Sequence, residues 1–304
     1  MALAAGMRGA GLEATELPVA DGGQGTAEVF AATLGGEWRS ARASDPLGRA
    51  VEARYLVLAD GSVVVEAAEA VGLRLLAPGE LDPLEASSRG LGELLVAIAG
   101  DASGPILVGL GDTGTVDGGA GLLEVVGDAL DGHELQVLCD VRNPLLGERG
   151  AARAFGPQKG ASPEQVAELD VRLAGMAELR PYADLPGAGA AGGLGAALAA
   201  LGGRLVAGAG VVLERIDFAG QARMADLVVT GEGALDRSST EGKAVGEVLG
   251  VCRELGVRCE LFAGRVAEAP PGTQPHALSG DPERAADDLV ELGGLLARAL
   301  LGVA

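Results

Sequence analysis

Four short apolar runs in this chain each end in a glycine- or acid-rich loop: ILVGLGDTG at 106–114, LQVLCDV at 135–141, DLVVTGEG at 226–233 and CELFAGR at 259–265. Each reads as a buried strand running into a loop. Helical, Ala/Leu-rich patterns follow at 163–178, 241–255 and 282–301. Asp281 before Pro282 reads as an N-cap with proline at the first helical position. Such alternation predicts an α/β protein with a largely parallel sheet. Open sheets of this class bind ligands beyond the carboxyl ends of their strands, where this sequence concentrates Gly, Asp and Lys.

Residues 38–70 have another texture. A DG turn at 60–61 lies between two β-like runs, YLVLAD and GSVVVEAA, which is an antiparallel signal. A second module of α+β character is expected there. No fixed-period repeat and no low-complexity linker divides the 304 residues.

Composition removes several functional classes. Hydrophobic residues make up 48% of the chain, too many for a disordered acidic tail. A formal charge of −20 argues against nucleic-acid binding, which runs on clustered Lys and Arg. Only seven aromatic side chains are available for base stacking. Cys139, Cys252 and Cys259 are odd in number and lack CxxC spacing, so neither a disulfide framework nor a zinc site is expected, and Cys139 is expected to be buried. The first 16 residues carry no convincing secretory signal. The apolar stretch from Ala190 to Leu213 is interrupted by glycines and Arg204, and it reads as a helix followed by a strand rather than a membrane span. These readings lead to an expected cytoplasmic protein with no membrane or nucleic-acid partner.

The basic residues are almost all arginine. Lys159 and Lys243 are the two lysines and Asn143 the one asparagine, each in a loop-like context. GLGDTGTVDGGAG at 109–121 follows a strand and precedes a helix, and its six glycines let backbone amides approach an anion. Thr113 and Thr115 add hydroxyls, and Asp117 calls for a cation or a hydroxyl-bearing substrate. TGEGALDRSSTEGK at 230–243 is also expected to follow a strand, and offers Glu232, Asp236 and Lys243. Acid, glycine and lysine together suit Mg2+ beside phosphate, although Arg237 and Ala244 break the Walker pattern. PGAGAAGGLGAAL at 186–198 contains a formal GxGxxG that reads as close helix packing rather than a dinucleotide site. VADGGQGTAEVF at 19–30 reads as a strand, Asp21, two glycines and a helix opening at Thr26. His133 and His276 are isolated, and no Ser-His-Asp set can be assembled.

The loops resemble those of type-1 glycerate kinases. The matching segments are LPVADGGQGT, DPLGRAVEARY, RGLGELL, GLGDTGTVDGGAGLLEVVG, CDVRNPLLGERGAARAFGPQKGA, PGAGAAGGLGAAL and DLVVTGEGALDRSSTEGK, in family order from residue 17 to about 250. The resemblance implies a flavodoxin-like domain from residues 1–40 and 223–304, with an inserted restriction-enzyme-like α+β domain at 41–222. It also implies ATP- and Mg2+-dependent phosphorylation of D-glycerate, most often at the 2-hydroxyl, by a monomer or homodimer, with the active site in the cleft.

Residue roles follow from charge under that resemblance, since phosphoryl transfer is mostly positioning and charge neutralisation. Gly111, Thr113, Gly114, Thr115, Gly118 and Gly119, with Gly231 and Gly233, are expected around the ATP phosphates. Asp140 and Asp236 are the expected Mg2+ ligands, and Lys159 and Lys243 the expected partners of transferring oxygens. Asp21 is the expected acceptor of the substrate hydroxyl proton, next to Gly22 and Gly23. Arg89 or Arg142 is expected to pair with the glycerate carboxylate, near Asp117 and Asn143.

Three departures stand beside the match. MALAAGMRGAG aligns within the family's first helix, ahead of which the resemblance implies a strand and a DSFKGS-like loop with a lysine. The family's GGSATNDGG reads GDTGTVDGG, bringing Asp112 and Val116 where the family has Gly and Asn. Ser238-Ser239 replaces a Gln-Thr pair. An impaired relative that binds ligand without turnover is the alternative expectation.

Overall fold

The computed structural model describes residues 1–236 and 243–302. The chain divides into two compact units, Met1–Val19 with Leu213–Ala304, and Ala20–Val212. Ser238 and Ser239 lie outside the described residues.

The larger unit holds six strands: β1 (Glu37–Ser44), β2 (Ala50–Val57), β3 (Val63–Glu66), β4 (Ile106–Gly109), β5 (Leu135–Leu138) and β6 (Arg204–Val206). They form one sheet in that order, antiparallel from β1 to β3 and parallel from β3 to β6. The β2–β3 turn falls at Asp60-Gly61 as the sequence predicts. Asp60 Oδ1 accepts the Ser62 N–H at 2.9 Å, and Gly61 takes a positive φ of 78°. Val63, Val64, Val65, Ile106, Leu107 and Val108 are fully buried. That is the state of parallel strands covered on both faces, and each such side chain contributes about 1.5–3 kcal/mol.

The helix Arg89–Ala99 buries Leu91, Leu94, Leu95 and Ile98, one stripe at helical spacing. Pro163–Gly175 opens on a capping box. Ser162 Oγ accepts from Gln165 N at 3.3 Å and Gln165 Oε1 accepts from Ser162 N at 2.8 Å. This helix stops at Gly175, short of the expected 178, and a 3-10 segment, Ala177–Tyr182, takes over. The stretch after Ala190 passes through left-handed Ala191, Gly192 and Gly193 into a helix that ends at Ala200, then β6 as expected, and a further helix, Gly208–Arg215, that was not expected.

Residues 20–40 belong to the larger unit, whereas the resemblance assigns them to the other domain. The reason is local docking: the helix Thr26–Leu34 sits on β3, with Ala27 N–H donating to Glu66 Oε1 at 2.9 Å. Residues 19–20, expected as a strand, are not part of one.

The smaller unit contains β7 (Val228–Leu235), β8 (Cys259–Val266) and β9 (His276–Ala277), all parallel. Leu235, Val245, Leu249, Leu261 and Ala263 form its apolar centre beneath the helix Ala244–Leu255. The last helix runs Ala285–Leu301, so Asp281 is not its cap. Instead Asp281 Oδ1 accepts from Glu283 N at 2.9 Å and closes a turn ahead of the helix. Cys139, expected to be buried, is half-buried, and desolvation pushes its thiol up to about 11. Among the described residues no helix is long and apolar enough to cross a membrane.

Candidate functional site

In the larger unit the parallel register aligns the last residues of four strands in one row: Glu66, Gly109, Leu138 and Val206. The Asp21–Gln24 turn lies across this row. A Cβ on Gly22 would stand 2.8 Å from Leu138 Cβ, and one on Gly111 would stand 2.6 Å from Gly23 Cα. Cβ atoms on Gly109 and Gly208 would meet the Gly22 and Asp21 carbonyls. Glycine at these positions lets two backbone layers touch, and Gly22 also needs its φ of 96°. Asp21, Gly22, Gly23 and Gly111 are therefore brought together at the carboxyl ends of the strands.

Hydrogen bonds hold the turn. Asp21 Oδ1 accepts the Gly23 N–H at 3.2 Å, and Thr26 Oγ1 donates to Gly23 O at 2.7 Å. Glu66, which sequence reasoning missed, anchors the helix that follows. It is only 5% exposed; burial pushes its carboxyl up, while the backbone amides of Ala27 and Gly25 pull it down. The available signal was an acid closing an otherwise apolar strand, VVVE. Beside the turn, Gln24, Arg54, Glu66, Glu69 and Arg74 line a cavity of about 310 Å³.

The 110–119 loop is placed differently from the sequence expectation. Thr113 and Thr115 are 3% and 0% exposed, and Gly114, Gly118 and Gly119 are buried. Thr113 bridges to Gly72, Gly114 N–H donates to Val71 O at 2.8 Å, and Leu73 N–H donates to Asp112 O at 2.8 Å. Gly118 packs against Met176 and Leu173, and Gly119 against Ala197. These residues build the loop's inner wall, which leaves Gly111 and the exposed Asp112 on its outer side.

Lys159 is buried too, at 3% exposure. Its Nζ donates to Thr113 Oγ1 at 3.1 Å and to Thr115 O at 2.7 Å. Desolvation lowers its pKa to about 7 against the attraction of Asp117. Thr115 Oγ1 is buried and has no partner among the described residues. Asp117 is itself consumed internally, by Ser88, Gly119 and Gly121.

After β5, Asp140 is half-buried and Arg142 exposed, with no ion pair for Arg142 among the described residues. Asn143 ties its own loop: Nδ2 donates to Arg149 O at 2.7 Å and its carbonyl accepts from Gly189 N at 2.9 Å. Arg89 pairs with Glu93 at 3.0 Å and Glu124 at 3.7 Å on the exposed start of its helix. The 186–198 glycines pack closely, as expected. Gly192 lies against Thr115 O and Gly189 against Pro144 O.

In the smaller unit, Gly231, Glu232 and Gly233 lie inside β7 rather than in a loop after it, because pairing with β8 continues to Leu235. Gly231 lies where a Cβ would strike Phe262. Glu232 Oε1 is buried and unpartnered among the described residues. Asp236 is exposed just past β7, and Lys243 is half-exposed at the N-cap of Ala244–Leu255. His276 Nε2 lies 3.0 Å from Glu260 Oε2, a structural pairing.

The model of the glycerate kinase family matches residues 1–131 and 124–280. The chain is 39% identical over 265 residues to glycerate 2-kinase of Escherichia coli K12, covering 75% of this chain and 70% of that protein. It is 35% identical over 300 residues to glycerate kinase of Halalkalibacterium halodurans, covering 86% and 79%. A crystal structure assigned to glycerate kinase 2 of Salmonella typhimurium LT2 superposes with a TM-score of 0.83 at 30% identity, covering 99% of this chain and 93% of that one. Family model, relatives and fold agree, and the chain belongs to the glycerate kinase family.

Proposed function

We propose that this chain transfers the γ-phosphoryl group of ATP to the 2-hydroxyl of D-glycerate. The observation that carries the reading is the convergence of Asp21, Gly22 and Gly23 with Gly111 at the ends of β4 and β5. Phosphoryl transfer needs little covalent chemistry from the protein; it needs in-line placement and compensation of charge. Gly111, half-exposed, suits a phosphate oxygen, because glycine lets a backbone N–H group come close, while the Gly23 N–H is taken by Asp21. Asp21 is the group that takes the hydroxyl proton, its carboxylate oriented by the Gly23 N–H. Arg142, exposed and without an ion pair among the described residues, is the fork for the glycerate carboxylate.

Mg2+ belongs to the same proposal. The described residues hold no cluster of three or more metal-ligating side chains. That fits Mg2+, which keeps several waters and takes one or two carboxylates beside substrate phosphates. Asp140, two residues past β5, is the aspartate that would hold it in the larger unit, and the ion would neutralise phosphate charge. Roles for Asp236, Lys243, Gly231 and Gly233 rest on the family resemblance. The all-parallel β7–β9 sheet supports a flavodoxin-like reading of the smaller unit, and the antiparallel β1–β3 start supports an inserted α+β module in the larger one.

The test is ADP release with D-glycerate, ATP and Mg2+, with the product identified by phosphorus NMR. A 2-phosphate ester supports the reading. A 3-phosphate ester refutes the stated position, and ligand binding without ADP release refutes the activity.

A further inference from the structure

Lys159 presents a problem that filling space does not solve. The chain uses arginine for nearly all its positive charge, yet it keeps a lysine at a position with 3% exposure. Burying an ammonium is expensive, and an apolar side chain of similar length would avoid the cost. The compensation is specific: Nζ reaches the Thr113 hydroxyl and the Thr115 carbonyl, 46 and 44 residues away in sequence. A compact ammonium with rotatable donors can serve two acceptors at once where the broad, planar guanidinium needs more room. The turn that presents it, Pro157–Lys159, ends on Gly160 with φ of 96°, where a Cβ would stand 2.7 Å from Leu81 Cβ. Among the described residues no carboxylate is bonded to Lys159, and Asp117 is the charged group that acts on it. The Thr115 hydroxyl lies in the same buried region without a partner among the described residues. The ammonium has thus taken the backbone carbonyl of residue 115 in preference to its side chain, and backbone is what sets the course of a loop.

We propose that Lys159 is a positioning residue that never touches substrate: by holding Thr113 and Thr115 from inside, it fixes the 110–116 loop and so the placement of Gly111 against the Asp21–Gly23 turn. This deepens the kinase reading above and rests on it for its functional consequence. The other restraints on the loop are backbone bonds to the 71–73 segment, Gly114 N to Val71 O and Leu73 N to Asp112 O. Those two amides report directly on whether the loop is held.

The experiment compares hydrogen exchange in the full ligand-free chain for wild type, Lys159→Met and Thr113→Val. Exchange at Gly114 and Leu73 is expected to rise about tenfold or more in Lys159→Met, and less in Thr113→Val, with Val108 in β4 unchanged. Turnover is expected to show a raised MgATP KM with the D-glycerate KM unchanged. Wild-type exchange at both amides in the two variants overturns the proposal, whatever the activity does. If Lys159→Met does not fold, Thr113→Val decides: faster exchange at Gly114 and Leu73 supports the proposal, and unchanged exchange overturns it. Absence of ADP release by the wild-type chain sinks the kinase reading while the exchange result still judges the role of Lys159.

Discussion

Asp117 Oδ2 accepts both the Ser88 hydroxyl at 2.7 Å and the Ser88 backbone N–H at 2.8 Å, joining the starts of two helices. The same carboxylate takes Gly119 N at 3.1 Å and Gly121 N at 3.2 Å, and Ser88 Oγ accepts from Leu122 N at 3.1 Å. Four internal donors assign this side chain chiefly to the scaffold. Asp117→Ala is expected to cost about 2–4 kcal/mol, because it leaves buried donors unpaired. Urea unfolding measures the loss, and the D-glycerate KM of the folded fraction is expected to stay at the wild-type value.

Asp112 adopts a left-handed φ of 56° without being glycine. Its carbonyl still accepts from Leu73 N, so the conformation is held by the loop's pairing. Asp112→Gly is expected to raise stability by about 0.5–1 kcal/mol by relieving the steric cost of a Cβ there. It also removes a negative charge from the loop's outer side, so the MgATP KM is expected to fall. Unfolding midpoints and steady-state kinetics of the one variant check both outcomes.

Lys159 makes stability depend on pH in a calculable direction. Its pKa is lowered from 10.5 to about 7 in the folded chain. Between those values the unfolded state binds more protons than the native state, so stability rises with pH across that window. Below about 7 both states are protonated and the burial penalty is fully present. Relative to Lys159→Met, the wild type is expected to gain on the order of a few kcal/mol from pH 7 to pH 10.5. Urea titrations at stepped pH test the sign, and a gain toward low pH would reverse it.

Asp21→Asn separates chemistry from scaffolding. The amide oxygen of asparagine can still accept from Gly23 N, so the turn is expected to persist. A lost proton acceptor typically costs about 10²–10⁴-fold in kcat. The expected result is that loss with an unchanged melting temperature. A fall in melting temperature that matches the fall in rate would assign Asp21 to the scaffold instead.

Legibility followed the range of the forces involved. The apolar runs that became β4, β5 and β8, the Asp60-Gly61 turn and the helix opening at Thr26 were all readable, because each is decided by neighbours within a few residues. Boundaries that depend on pairing were not. β7 runs on through Gly231, Glu232 and Gly233 because β8 offers it a ladder, and no local feature of TGEGAL announces that. The side of each loop that faces solvent was equally hidden. Thr113 and Thr115 look like phosphate ligands in sequence, and they point inward because the 71–73 segment and Lys159 claim the loop from behind.

The amino-acid sequence by itself determined the α/β class, the glycine loops at strand ends and the family, since periodicity, turn chemistry and motif order are local or linear properties. Tertiary structure alone decided which members of those loops are wall and which are surface. The bonds of Lys159 to Thr113 and Thr115, of Asp117 to Ser88 and of Glu66 to Ala27 join residues 29 to 46 positions apart. Their energies come from desolvation, which depends on what the rest of the chain brings around a side chain and on nothing the side chain carries itself.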